Sequence, residues 1–287
     1  MFAPVAGLIG AADLAICHLE VPLSADNSRI SGYPLFSAPR QVADALADTG
    51  YHGCSTASNH SFDQGVGGIE DTLSVFEDVG LGQAGMSARA EDFGRATLYD
   101  VDGVTVAHLA ATWWLNGLRL PLDKPWLVQM LEVDELVGQA ERAREEGAEV
   151  VVVSMHCCVE YQTAPTPYQR KVARSLIASP HIDLVVGHHG HVVQPIERIG
   201  DRFVVYGLGN FLSAQRSIPS TQDGVIVKVE FALRADTWAT RGIRATPTWV
   251  EGETYRILPA ATVNEASWQR TARALELDGA LGVEIVR

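Results

Sequence analysis

The stretch Asp183-Leu184-Val185-Val186-Gly187-His188-His189-Gly190-His191 decides how this chain is read. Leu184-Val185-Val186 is a short apolar run, largely β-branched, of the kind that forms a buried strand in a parallel sheet. Gly187 permits a sharp turn at the strand's end, so the next residues can face a cleft. Three imidazoles then fall within four positions. A buried ring nitrogen must find a partner, and a metal ion is the partner that satisfies several at once. On an extended backbone His189 and His191 point the same way, because side-chain direction repeats every two residues.

Upstream, Val150-Val151-Val152-Val153-Ser154 reads as a second buried strand that delivers His156 at its carboxyl end. Between the two strands lie Cys157-Cys158-Val159-Glu160-Tyr161 and a helix opened by Thr166-Pro167, with Gln169 placed for a capping box. A β-α-β unit of this kind is expected to bring His156 and the 188–191 loop to one edge. Downstream, Phe203 to Tyr206 reads as a strand running into Gly207-Leu208-Gly209-Asn210-Phe211, with Asn210 at the cleft side.

The first half supplies further groups. Residues 12–20 read as a strand with His18 and Glu20 on one face, which makes Glu20 a carboxylate at a strand end. Asn59-His60 can offer an amide oxygen and an imidazole nitrogen to one ion while Asp63 orients the ring, although Asn and Asp are also common turn formers. Trp113 and Trp114 cannot both face one core from a strand. One is therefore expected at solvent, a loop or a substrate, with Asn116 before Gly117 presenting its amide; packing of an interdomain or dimer surface is the alternative.

The remaining pattern is scaffold. Helices are expected from Ser37-Ala38-Pro39 to Gly50, over 68–79, over 131–146 and over 264–277. An Asp102-Gly103 turn joins two hairpin strands with His108 as a core residue or a support for a ligand rather than a ligand itself, and 224–260 contributes antiparallel strands of a second sheet. The whole of 1–287 reads as a single domain.

A chain of 287 residues with 47% hydrophobic content is an ordinary globular protein, and its net charge of -13 disfavours nucleic acid as a partner. No membrane segment or secretory signal is visible, which points to the cytoplasm; an extracellular or membrane-associated location follows if an N-terminal segment lies outside this sequence. Cys17, Cys54, Cys157 and Cys158 lack the spacing of a disulfide scaffold and are compatible with a reducing compartment.

Taken together, Asp13 to Glu20, Ala57-Ser58-Asn59-His60 with Asp63 and Gly65, Asn116-Gly117, Ser154-Met155-His156 with Glu160-Tyr161, the 187–191 block with Gln194-Pro195, and Tyr206 to Phe211 resemble the bacterial capsule-synthesis CapA family. That family is also described as poly-γ-glutamate synthesis proteins and is similar in fold to the calcineurin-type metallophosphatases. The resemblance covers roughly residues 1 to 260. It implies an α/β fold, a four-layer sandwich of two mixed sheets flanked by helices. It also implies a centre of one or two divalent metal ions held by Glu20, Asn59, His60, His156, His189 and His191, with His188 a further ligand or neighbour.

Two departures stand out. The family's first strand ends in Gly-Asp, and this sequence starts after that point, so either a strand lies outside it or the site has fewer ligands. Cys157 stands where similar sequences carry tryptophan. It can act as a soft metal ligand, as an acid–base thiol, or simply as a small buried filler.

The expected activity is metal-dependent hydrolysis of an amide, such as a γ-glutamyl peptide bond, or of a phosphoester. His188, His191, Glu20 and Asn210 are the catalytic candidates, and Trp113, Trp114, Asn116, Cys157 and Glu160 the substrate-binding ones. Manganese, zinc or iron suits this mixture of donors better than calcium. The expected partner is a peptide or polyglutamate-like substrate. The alternatives are a metal-dependent peptide epimerase moving a proton at Cα and a non-catalytic, capsule-polymer-associated protein.

Overall fold

The computed structural model describes residues 1–235, 237–276 and 282–287. The chain forms two compact units, Ile9–His156 and Met1–Leu8 with Cys157–Arg287. Each is a mixed α/β assembly of sheets with helices packed on them, the class read from the sequence.

In the unit Ile9–His156, strands β1 (Ile16–His18), β4 (Gly53–Ser55) and β5 (Gly82–Ala84) run parallel in the order β1-β4-β5, while β2 (Leu23–Ser24) pairs with β3 (Ala38–Pro39). Strands β6 (Thr97–Val101) and β7 (Val104–Thr112) form the expected hairpin, with Asp102 and Gly103 at φ +51° and +86°. Strand β8 (Val150–His156) is buried throughout and runs parallel to β7, with His156 opposite Thr112. Helices α1 (Gln41–Thr49), α2 (Gly65–Val79) and α3 (Val133–Glu145) complete the unit.

Helix α2 shows why the pattern folds. Ile69, Thr72, Val75 and Phe76 recur on one buried face, and Gly80 takes the left-handed conformation that ends the helix. Ile69 packs with Ala57, Ala84, Met86, Leu127 and Val128 in one apolar cluster. Each large side chain buried there contributes about 1.5–3 kcal/mol.

Two expectations fail in this unit. Ala38-Pro39 does not open a helix; α1 starts at Gln41 without a side-chain cap. Ser37 exchanges two backbone hydrogen bonds with Ser31, and Ala38 N–H donates to the Pro22 carbonyl, so tertiary pairing overrides the local helix signal. Strand β1 ends at His18, so Glu20 lies beyond it and the alternation argument does not reach that residue.

In the other unit, helix α4 (Pro167–Ala178) is capped by Thr166, whose side-chain oxygen accepts the Gln169 N–H at 3.1 Å. The Gln169 side chain is turned to the interior, where its Nε2 donates to Gln194 Oε1 and the Tyr206 carbonyl. Strand β9 (Leu184–His188) runs parallel to β11 (Arg202–Val205), which pairs antiparallel with β10 (Ile196–Ile199). Strands β12 (Asp223–Arg234), β13 (Thr237–Val250) and β14 (Ile257–Pro259) form the antiparallel meander expected over 224–260, and β15 (Val283–Ile285) joins β13 in parallel. Helix α5 (Glu265–Leu275) follows an Asn264 cap; position 277 of the expected helix falls outside the described residues.

The cysteines also correct the sequence reading. Cys17 and Cys54 stand opposite one another on β1 and β4 and are disulfide-bonded, and Cys157 is bonded to Cys158. Cys157 is buried, and its bonded sulfur offers no thiol to a metal or a proton. Among the described residues no helix is long and apolar enough to cross a membrane.

Candidate functional site

The unit Ile9–His156 gathers polar side chains at the carboxyl ends of its parallel strands, the usual address of ligand sites in α/β folds. His18 ends β1, Ser55 ends β4 and His156 ends β8, while Asn116 lies four residues past β7. Asn59 and His60 sit on a turn between β4 and α2. Ser58 Oγ accepts the His60 N–H and donates to the Glu20 carbonyl, and Ser61 Oγ accepts the Ser58 N–H.

One hydrogen-bonded chain joins these groups. His18 Nδ1 lies 2.7 Å from Ser55 Oγ, and His18 Nε2 lies 3.0 Å from His156 Nδ1, with the two rings stacked at 4.9 Å. His156 Nε2 lies 2.8 Å from Asn59 Oδ1, and Asn59 Nδ2 donates to Asn116 Oδ1 at 3.1 Å. The Asn116 amide nitrogen reaches the His60 ring at 3.3 Å, and His60 Nδ1 lies 2.7 Å from Asp63 Oδ2. Asp63 is buried and also accepts the Phe36 N–H at 2.8 Å, while the Phe36 ring meets His60 edge-on.

Of the expected residues, Asn59, His60, His156 and Asn116 are thus brought together. Asp63 takes the orienting position the sequence suggested. His18 joins this chain although the motif blocks do not single it out; its place two residues before Glu20 on β1 is the signal in the sequence. Asn116 holds φ +51° and Gly117 φ +82°, a turn that points the amide at its two partners. Trp113 and Trp114 on the same segment are both exposed. His108 is fully buried, as expected of a core residue, and its burial lowers its pKa to about 4.

The unit containing Cys157–Arg287 holds a second group. The His188–His191 segment does not continue the extended strand. His189 and His191 take φ +84° and +53°, so the expected period-two alignment does not hold, and their rings lie 6.3 Å apart at a tilt of 47°. The physical reason is the turn itself: left-handed residues on either side of Gly190 replace pleat with coil. His191 Nδ1 donates to Asn210 Oδ1 at 2.9 Å, because Asn210 Nδ2 is committed to the Thr221 carbonyl. His191 Nε2 stands 3.9 Å from Glu160 Oε1, and the Tyr161 ring stacks on His191 while its N–H donates to the Gly190 carbonyl. His188 ends β9 and is buried.

Among the described residues no group of three or more His, Cys, Asp or Glu side chains stands at metal-holding spacing. The donor set that does converge is mixed. Asn59 Oδ1 and His156 Nε2 face each other at 2.8 Å, close to the roughly 3 Å between neighbouring ligands set about 2.1 Å from an ion at right angles. An amide oxygen and an imidazole nitrogen are both atoms of types that can ligate a divalent cation.

Comparison with known proteins agrees with the motif blocks. A family model described as "Bacterial capsule synthesis protein PGA_cap" matches residues 1–215. The chain belongs to this capsule-synthesis family. The capsule biosynthesis protein CapA of Bacillus anthracis is 27% identical over 256 residues, covering 84% of this chain and 61% of that protein. The PGA biosynthesis protein CapA of Bacillus subtilis (strain 168) is 30% identical over 191 residues, covering 66% of this chain and 49% of its own length. The chain therefore spans about half to three-fifths of these relatives. Among solved structures, a 5'-nucleotidase described as putative, from Staphylococcus aureus, superposes with a TM-score of 0.52 at 14% identity, over 82% of this chain and 44% of that one. The chain thus shares the fold of that structure, the mixed α/β architecture of sheets flanked by helices expected from its sequence blocks.

Proposed function

We propose that this chain is a metal-dependent hydrolase acting on an amide bond, such as a γ-glutamyl linkage, or on a phosphoester. The observation that carries the reading is the hydrogen-bonded chain from His18 to Asp63, which has the facing Asn59 and His156 side chains, both able to ligate a cation, within it and a carboxylate-oriented imidazole at its far end. Membership of the PGA_cap family and the hydrolase-type fold support it.

Asn59 and His156 would hold the ion, with Glu20 the nearest carboxylate in sequence to His18. A bound divalent cation would polarise the scissile carbonyl or phosphoryl oxygen and acidify water. His60 is expected among the ligands, and Asp63 at its Nδ1 is compatible with that role, since the pairing fixes the proton on Nδ1 and leaves the Nε2 lone pair for an ion or a proton. Under the proposed reading Nε2 takes the acid–base role. Asn116 stands between the two, its oxygen accepting from Asn59 Nδ2 and its amide nitrogen 3.5 Å from His60 Nε2. In the other unit, His191 with Asn210 and Glu160 forms a second imidazole held in one tautomer, suited to ligand binding or proton transfer.

The test is cleavage of poly-γ-glutamate and of a p-nitrophenyl phosphodiester by the purified chain with manganese, zinc or iron, against a chelated control. Metal-dependent cleavage that disappears in Asn59→Ala and His60→Ala supports the reading. Solvent deuterium entering an intact peptide's Cα without cleavage replaces hydrolysis by epimerisation. Absence of turnover and of bound metal leaves a non-catalytic capsule protein.

A further inference from the structure

We infer that His18 is a positioning residue that sets the tautomer of His156 and so prepares the Asn59–His156 pair to hold a cation. The inference rests on the metal-centre reading above and deepens it.

The argument follows the protons. Asn59 Nδ2 is committed to Asn116 Oδ1, so Asn59 Oδ1 is an acceptor, and it faces His156 Nε2 at 2.8 Å. For both atoms to offer lone pairs to one ion, the proton of a neutral His156 must sit on Nδ1. The atom that meets Nδ1 is His18 Nε2, 3.0 Å away. His18 can accept there only if its own proton is on Nδ1, which lies 2.7 Å from Ser55 Oγ. Ser55 can accept that proton because its hydroxyl has another outlet, the Cys17 carbonyl at 3.5 Å.

The protons therefore run in one direction, from His156 to His18, from His18 to Ser55, and from Ser55 to a backbone carbonyl that is an obligate acceptor. Without an ion the same atoms support the opposite polarity, with Ser55 donating to His18, His18 to His156, and His156 to Asn59. The parallel pairing of β1 and β4 places His18 directly opposite Ser55, so the backbone register itself builds this support. Partners that orient a metal-binding histidine through its other nitrogen usually govern affinity by 10–100-fold.

The experiment measures manganese and zinc binding calorimetrically for the wild type, His156→Ala, His18→Leu and His18→Gln, and records two-bond 15N–1H spectra of the wild type labelled at histidine. Expected are a 10–100-fold weaker ion affinity in His18→Leu, recovery to within a few-fold in His18→Gln, whose amide oxygen still accepts, and an Nδ1–H tautomer of His156 once the ion is bound. Wild-type affinity in a folded His18→Leu, or an Nε2–H tautomer of His156 in the loaded protein, overturns the inference alone. The spectra decide it even where His18→Leu does not fold. Binding too weak to detect in the wild type, or equal in wild type and His156→Ala, overturns the metal-centre reading and this inference with it.

Discussion

His60 Nδ1 lies 2.7 Å from Asp63 Oδ2, and the same carboxylate oxygen accepts the Phe36 backbone N–H. The carboxylate fixes which ring nitrogen of His60 faces outward and, under the proposed hydrolytic reading, would stabilise the imidazolium formed when His60 takes a proton. Asp63→Asn keeps the size of the side chain and removes the charge. The hydrolytic kcat should fall about 100- to 10,000-fold with a nearly unchanged KM. A loss of less than about threefold in steady-state assays removes His60 from the acid–base role.

Gly187 is packed against Tyr206 so tightly that a Cβ on it would lie 2.0 Å from the Tyr206 carbonyl oxygen. That oxygen also accepts from the buried Gln169 amide, so the backbone has little freedom to retreat. Gly187→Ala should cost about 2–3 kcal/mol, at the upper end of ordinary overpacking. Chemical denaturation checks this, and a stability unchanged within 0.5 kcal/mol, about the effect of a surface substitution, refutes it.

His108 gives a pH signature. Burial lowers its folded pKa to about 4, against roughly 6.5 in the unfolded chain. Between those values the unfolded state binds a proton that the folded state refuses. The stabilising contribution is therefore full above about pH 6.5, declines as pH falls toward 4, and is flat below that. The total is about 3 kcal/mol. Urea unfolding from pH 8 to 4 should show this slope in the wild type and a shallower one in His108→Gln.

Asp223 is nearly inaccessible and holds both Nε and Nη2 of Arg270, at 2.8 and 2.9 Å, together with Ser267 Oγ. Arg270→Met strands a buried carboxylate. The expected cost is about 2–3 kcal/mol, below that of a fully buried pair because Arg270 is partly exposed. Converting Asp223 to Asn in the same chain should recover part of it. A double-mutant cycle with no coupling contradicts the assignment.

Much of this was legible from residue order. The β8 run of four valines, the Thr166 cap, the Asp102-Gly103 hairpin and the glycine that ends α2 are local signals, and local physics realises them. The failures share one cause. Ala38-Pro39 has helix-start chemistry, yet the hydrogen bonds offered by Ser31 and Pro22 outweigh it. Gln169 has capping-box spacing, yet Gln194 and Tyr206 claim its amide. His189 and His191 have strand spacing, yet the chain leaves the strand before reaching them.

Residue order alone sets which chemistry this protein carries, because imidazoles, amides and carboxylates at strand ends are written residue by residue, and the same order marks the family that arranges them so. Who touches whom is fixed by the folded chain. His18 meets His156 across 138 positions of chain, and Asn59 meets His156 across 97. Such contacts depend on strand register and on the direction of each lone pair, which periodicity along the chain does not specify.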